Sequence, residues 1–86
     1  AEVRRKRNGA PVRVAGLVVV HQTPPTAKGH HFLTLEDETG LLDVVVRPRV
    51  YAQHRQLLHH AAILLAQGVL QRDGERLSVL AKALAI

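Results

Sequence analysis

Between His30 and Glu36 the chain alternates. Leu33 and Leu35 fall on one side of an extended backbone, and Phe32, Thr34 and Glu36 fall on the other. A period of two predicts a half-buried β-strand. The alternation resumes from Leu41 to Arg47, where Leu42, Val44 and Val46 oppose Asp43, Val45 and Arg47. The intervening Asp37-Glu38-Thr39-Gly40 has the chemistry of a turn, with Asp to start it and Gly to close it. Upstream, the valine-rich stretch from Val12 to Gln22 predicts a first strand in which Gly16 marks a bend or bulge. A long first strand that bends can serve both halves of a small barrel. Gln22 to Gly29 reads as a loop, because Pro24 and Pro25 cannot donate to a ladder and Gly29 tolerates positive φ.

At Pro48 the period changes. Val50, His54, Leu57 and Leu58 recur at helical spacing, and Pro48 suits the first helical position. A helix is therefore expected from Pro48 to about His60. Ala61 to Leu70, apolar nearly throughout, is the fourth strand, and Arg76 to about Leu84 is the fifth. Between them Arg72-Asp73-Gly74-Glu75 carries the Asp-Gly hairpin signature. The order is β-β-β-α-β-β: an all-β chain with one helix between strands three and four. That is the connectivity of a five-stranded OB-fold barrel. An SH3-like barrel usually has no full helix at that point, so the 48–60 stripe decides against it.

Composition sets limits on what such a barrel does. The 86 residues make one small domain. It is divided as a basic, flexible arm over 1–11, with Asn8-Gly9 and Pro11 in it, and the barrel over 12–86. The chain begins at Ala1 and has no methionine, which implies a lost initiator or a segment of something longer. Cysteine is absent, which excludes disulfides and cysteine-ligated zinc and fits a cytoplasmic protein. No apolar run approaches the ~20 residues of a membrane span, and no signal peptide is recognisable. The net charge of +5 points to an anionic partner. More than half of it belongs to Arg4, Arg5, Lys6 and Arg7 beside Glu2, so the barrel itself is only mildly basic. The arm is either solvated or a phosphate contact.

The stretches Val12 to Val20, Thr26-Ala27-Lys28-Gly29 and Phe32 to Gly40 resemble the OB module of bacterial C-family DNA polymerase III alpha subunits. The Thr-Ala-Lys-Gly loop is most similar to the error-prone, damage-tolerance branch. Val45-Val46-Arg47-Pro48 and Gln67 to Gly74 continue the match, which spans residues 12 to about 82. The Phe-x-x-Leu-x-Asp-x-x-Gly pattern is shared with anticodon-binding OB domains of class II tRNA synthetases and with some helicase and nuclease modules. The chain departs from the polymerase pattern at Arg47, which stands where an aromatic residue precedes the helix-opening proline. Its planar guanidinium can still stack. The resemblance implies that the family's catalytic aspartates lie in a palm domain that nothing in this chain matches.

Phe32 is one of two aromatic residues. If Leu33 and Leu35 fill the barrel, Phe32 and Thr34 lie on the outer face, where OB-folds place bases. Lys28, beside Gly29, and Arg47, on the same face, are candidate phosphate contacts. Arg13 is a further candidate if the bend at Gly16 turns it that way. Arg72 and Arg76 flank the last hairpin, which borders an OB groove. Asp37 is a turn former. Asp43 opposes phosphate, and accepts a base amino group or pairs with Arg47. His30-His31 and His59-His60 are adjacent pairs whose rings diverge, and His54 falls on the apolar helix stripe. No metal site, cofactor loop or nucleophile motif is expected, Ser78 being the single serine. The expected function is binding of single-stranded nucleic acid, DNA before RNA, beside other domains or subunits of a polymerase. The alternatives are an RNA or anticodon module, and a protein-interaction OB module without nucleic-acid affinity.

Overall fold

The computed structural model describes residues 5–86. Its elements are β1 (Pro11–Gln22), β2 (His31–Asp37), β3 (Gly40–Val46), α1 (Pro48–His60), β4 (Ile63–Asp73) and β5 (Arg76–Ala85). The strands close into a barrel in the order β1-β2-β3-β5-β4. The expected β-β-β-α-β-β order holds, including the helix bounds.

β1 serves both halves of the barrel. Its first part, Pro11 to Leu17, pairs with β4, and Leu17 to Gln22 pairs with β2. The exchange falls at Gly16-Leu17, where the backbones crowd. A methyl group at Gly16 would meet the Glu36 carbonyl oxygen at 2.7 Å. Val19 is an extra residue in the ladder with β2, which adds twist just past the exchange. β5 pairs with β4 as an antiparallel hairpin and with β3 in parallel, and the parallel seam closes the barrel. Gly74, with φ of 64°, is the first residue of a two-residue turn between β4 and β5.

The alternation read from the sequence sorts the faces. Leu33, Leu35, Val44, Val46, Leu64, Ala66, Leu70, Val79 and Ala81 fill the barrel, and α1 plugs one end with Val50 and Leu58. Leu57 and Tyr51 pack beside them. His54, on the same stripe, is half-buried, and helical geometry is interrupted there. β4 starts two residues later than expected. Ala61 instead terminates α1, its N–H donating to the Leu57 carbonyl at 2.9 Å, and the Ala62 carbonyl accepts from Val18. The loop after β1 contains one 3₁₀ turn, Pro25–Ala27, then Lys28 and Gly29 with φ of 53° and 88°.

Of the arm expected over 1–11, residues 1–4 lie outside the described residues. Pro11 already belongs to β1. The Gly9 N–H donates to the Leu70 carbonyl at 2.6 Å, and the Leu70 N–H donates to the Ala10 carbonyl at 2.8 Å. β4 runs past the start of β1, and its unpaired edge groups find partners there. Farther along, the Arg72 Nε–H donates to the Lys6 carbonyl and the Arg72 backbone N–H donates to Asn8 Oδ1.

Candidate nucleic-acid interface

The outer faces of β2 and β3, the end of β1 and the β4–β5 hairpin enclose a groove of about 630 Å³. Period-two alternation builds its floor. With Leu33 and Leu35 inside, Phe32 and Thr34 must face out, and cross-strand pairing sets Phe32 against Val45 and Thr34 against Asp43. Asp43 pairs in turn with Ser78 across the parallel seam. From β1, Gln22 lies opposite Phe32 and Val20 opposite Thr34, and Arg72, Asp73 and Arg76 rise along the hairpin side. The floor thus sets Phe32 between Gln22 and Val45, and it is polar around Asp43, where the Thr34 hydroxyl donates to Asp43 Oδ1 at 3.3 Å.

The groove unites four of the seven candidate residues: Phe32, Thr34, Arg72 and Arg76. Lys28 and Arg47 are exposed outside it, near each other. Gly29 approaches Pro48 so closely that an added methyl would lie 3.3 Å from the ring, and these two residues neighbour Lys28 and Arg47 in the chain. Arg13 is on another face, in a shallow depression with Gln67, Gly68 and Lys82, because the β1 residues before Gly16 pair with β4 instead of β2. Asp37 forms the expected turn: the Thr39 hydroxyl and backbone N–H both donate to its carboxylate, at 2.6 and 2.7 Å. Those two bonds hold its pKa below the ordinary value.

A histidine cluster at the helix-plugged end was not anticipated. His31 is 9% exposed, on the inward side with Leu33. It stacks on Tyr51 with ring centroids 3.6 Å apart and hydrogen-bonds His21 at 2.8 Å between Nδ1 and Nε2. The Tyr51 hydroxyl is 2.7 Å from His59 Nε2. Among the described residues no group of three His, Cys, Asp or Glu side chains is placed to hold a metal ion. Burial, followed by the neighbouring histidine charges, lowers the pKa values of both His21 and His31 from 6.5. The folded state therefore binds fewer protons than the unfolded chain in this range. Stability should be full above about pH 6.5 and decline as pH falls below it towards the lowered native values. Urea melts between pH 8 and 5 will show this decline. His31→Phe, which keeps a ring on Tyr51, should flatten it; an unchanged profile would detach the cluster from the effect.

The barrel, its single helix and this groove define a nucleic-acid-binding OB-fold domain. A family model described as the OB-fold nucleic acid binding domain matches residues 12–86, and the chain belongs to that family. Its relatives include error-prone DNA polymerases. The chain is 47% identical over 78 residues to the error-prone DNA polymerase of Anaeromyxobacter dehalogenans, covering 91% of this chain and 7% of that protein. It is 42% identical over 80 residues to the error-prone DNA polymerase of Pseudomonas aeruginosa, covering 93% of this chain and 8% of that one. The chain thus spans under a tenth of the length of these relatives. Asparaginyl-tRNA synthetase from Pyrococcus horikoshii superposes with a TM-score of 0.76 at 21% identity, over 92% of this chain and 19% of that one, a likeness of fold. Among the described residues no helix is long and apolar enough to cross a membrane.

Proposed function

We propose that the chain holds single-stranded DNA in the groove, as the OB module of an error-prone DNA polymerase whose catalytic residues lie outside these 86 residues. The observation that carries this reading is Phe32, the chain's single phenylalanine, left 38% exposed on the groove floor. Val45 beside it on β3 and cations along one rim suit a stacked base and its phosphates. The polymerase relatives, similar over nine-tenths of the chain, favour DNA as the strand. In such a protein the module steadies the template beside the catalytic domains, during replication past damage and repair.

Fluorescence anisotropy with matched DNA and RNA oligonucleotides tests the reading. Binding of DNA at low salt, not displaced by equal RNA, is the expected result. Preference for RNA would make this an RNA-binding module, and no binding of either would leave a protein-interaction barrel. Affinity should also fall with salt, at a log–log slope of about −0.7 for each phosphate neutralised on a single strand. Arg76→Ala should lower that slope by about 0.7. An unaltered slope would remove Arg76 from the phosphate contacts.

A further inference from the structure

The groove floor contains a carboxylate where a purely electrostatic binder would have none. Asp43 is exposed in the groove, in register with Thr34 on one side and Ser78 on the other. The Thr34 hydroxyl donates to its Oδ1. That bond leaves Oδ2 of Asp43, which lines the groove, with acceptor capacity to spare.

A fixed carboxylate only accepts hydrogen bonds, and it repels phosphate. What can lie against it is a base edge rich in donors. On β2, Phe32 and Thr34 are two positions apart, roughly 6.6 Å along the strand. A base stacked on Phe32 therefore brings its edge to the Thr34–Asp43 pair. Of the four bases, guanine alone presents two adjacent donors, N1–H and the N2 amino group, matching the two oxygens of a carboxylate. Adenine and cytosine each offer one amino group beside a ring lone pair that the carboxylate repels. Thymine offers a single N3–H between two carbonyl oxygens. Ser78, whose hydroxyl can donate, lies beside Asp43 and suits the guanine O6 acceptor.

From this geometry we infer that Asp43 makes the position next to Phe32 a guanine-selective subsite, with Thr34 as its positioning residue. The inference rests on the groove being the nucleic-acid site. The test uses the 86-residue chain and labelled oligothymidines carrying one central dG, dI, dA, dC or dT. Guanine should bind about tenfold more tightly than the others. Inosine, which lacks only the N2 amino group, should lose most of that gain. Asp43→Asn replaces one acceptor by a donor and should abolish the preference for guanine, shifting it towards adenine. Equal affinity for all five oligonucleotides in the unsubstituted chain would overturn the guanine subsite and leave the binding function standing. Absence of binding to every one of them would overturn both. The comparison of dG with dI needs no variant, so a folding defect in Asp43→Asn cannot mask the outcome.

Discussion

Gly68→Ala is expected to cost the barrel about 3 kcal/mol, the upper end of what overpacking a well-filled site incurs. Gly68 is buried in β4 opposite Ala81, at the point where Lys82 is bulged out of the β5 ladder. That bulge draws the β5 backbone across the glycine. A methyl group at Gly68 would overlap the Leu80 carbonyl oxygen and crowd its carbon at 2.8 Å. These are main-chain atoms held by ladder hydrogen bonds, so neither can turn aside as a side chain would. Gly16→Ala meets the Glu36 carbonyl oxygen at 2.7 Å and should cost less, about 1–2 kcal/mol, because β1 is already bent and bulged there. Urea denaturation midpoints at fixed pH measure both. A Gly68→Ala protein as stable as its parent would mean that the β4–β5 backbones do not approach in this way.

The two glycines mark a limit of sequence reading. Gly16 interrupts a valine-rich run, which is a local signal, and the bend is found beside it. Gly68 lies in an apolar strand with no punctuation, and its need for a missing side chain arises from β5, far along the chain. A requirement set by a partner backbone leaves little trace in the residues next to it. The alternating strands were legible for the opposite reason, since Leu33, Leu35, Val44 and Val46 each report their own environment. Pro48 and the helical stripe after it were legible in the same way.

Phe32→Ala should weaken binding of single-stranded oligonucleotides by ~1–3 kcal/mol, for every base, because each base has a π-face to lose. The same substitution should lower stability by less than the ~3–5 kcal/mol of a core phenylalanine, since the ring is 38% exposed and points away from Leu33 and Leu35. An exposed aromatic ring beside Val45 leaves apolar surface in water that a stacked base would cover. Anisotropy and urea melting on one preparation give both quantities. A large loss of stability with binding intact would assign Phe32 to packing and move the strand to another face.

The site was less legible than the fold. Phe32 and Thr34 follow from parity alone. The directions of Arg13 and Arg72 do not: β1 changes partner between Arg13 and the groove, and Arg72 bonds to Lys6 and Asn8, residues read as a separate arm. The histidine cluster leaves no trace in the adjacent pairs His30-His31 and His59-His60, because its members come from β1, β2 and α1. The usable signal was parity again. His31 shares the inward face of Leu33, and a buried imidazole requires hydrogen-bonding partners, here drawn from β1 and accompanied by a ring from α1.

The parallel seam between β3 and β5 ties the groove to the folding reaction itself. The β1–β2, β2–β3 and β4–β5 pairings join strands consecutive in the chain, but this one joins segments separated by the helix and the whole of β4, just as the β1–β4 pairing reaches across β2, β3 and the helix. Its loop-closure entropy must be met before its contacts return anything, so a non-local seam of this kind slows folding. Asp43 and Ser78 face each other across that seam, so half of the groove floor is absent until it closes. A nucleic-acid strand bound over both residues, as proposed, would act as a clasp on the closed state. Its binding should raise the unfolding midpoint in step with the logarithm of its concentration and slow the opening of the barrel.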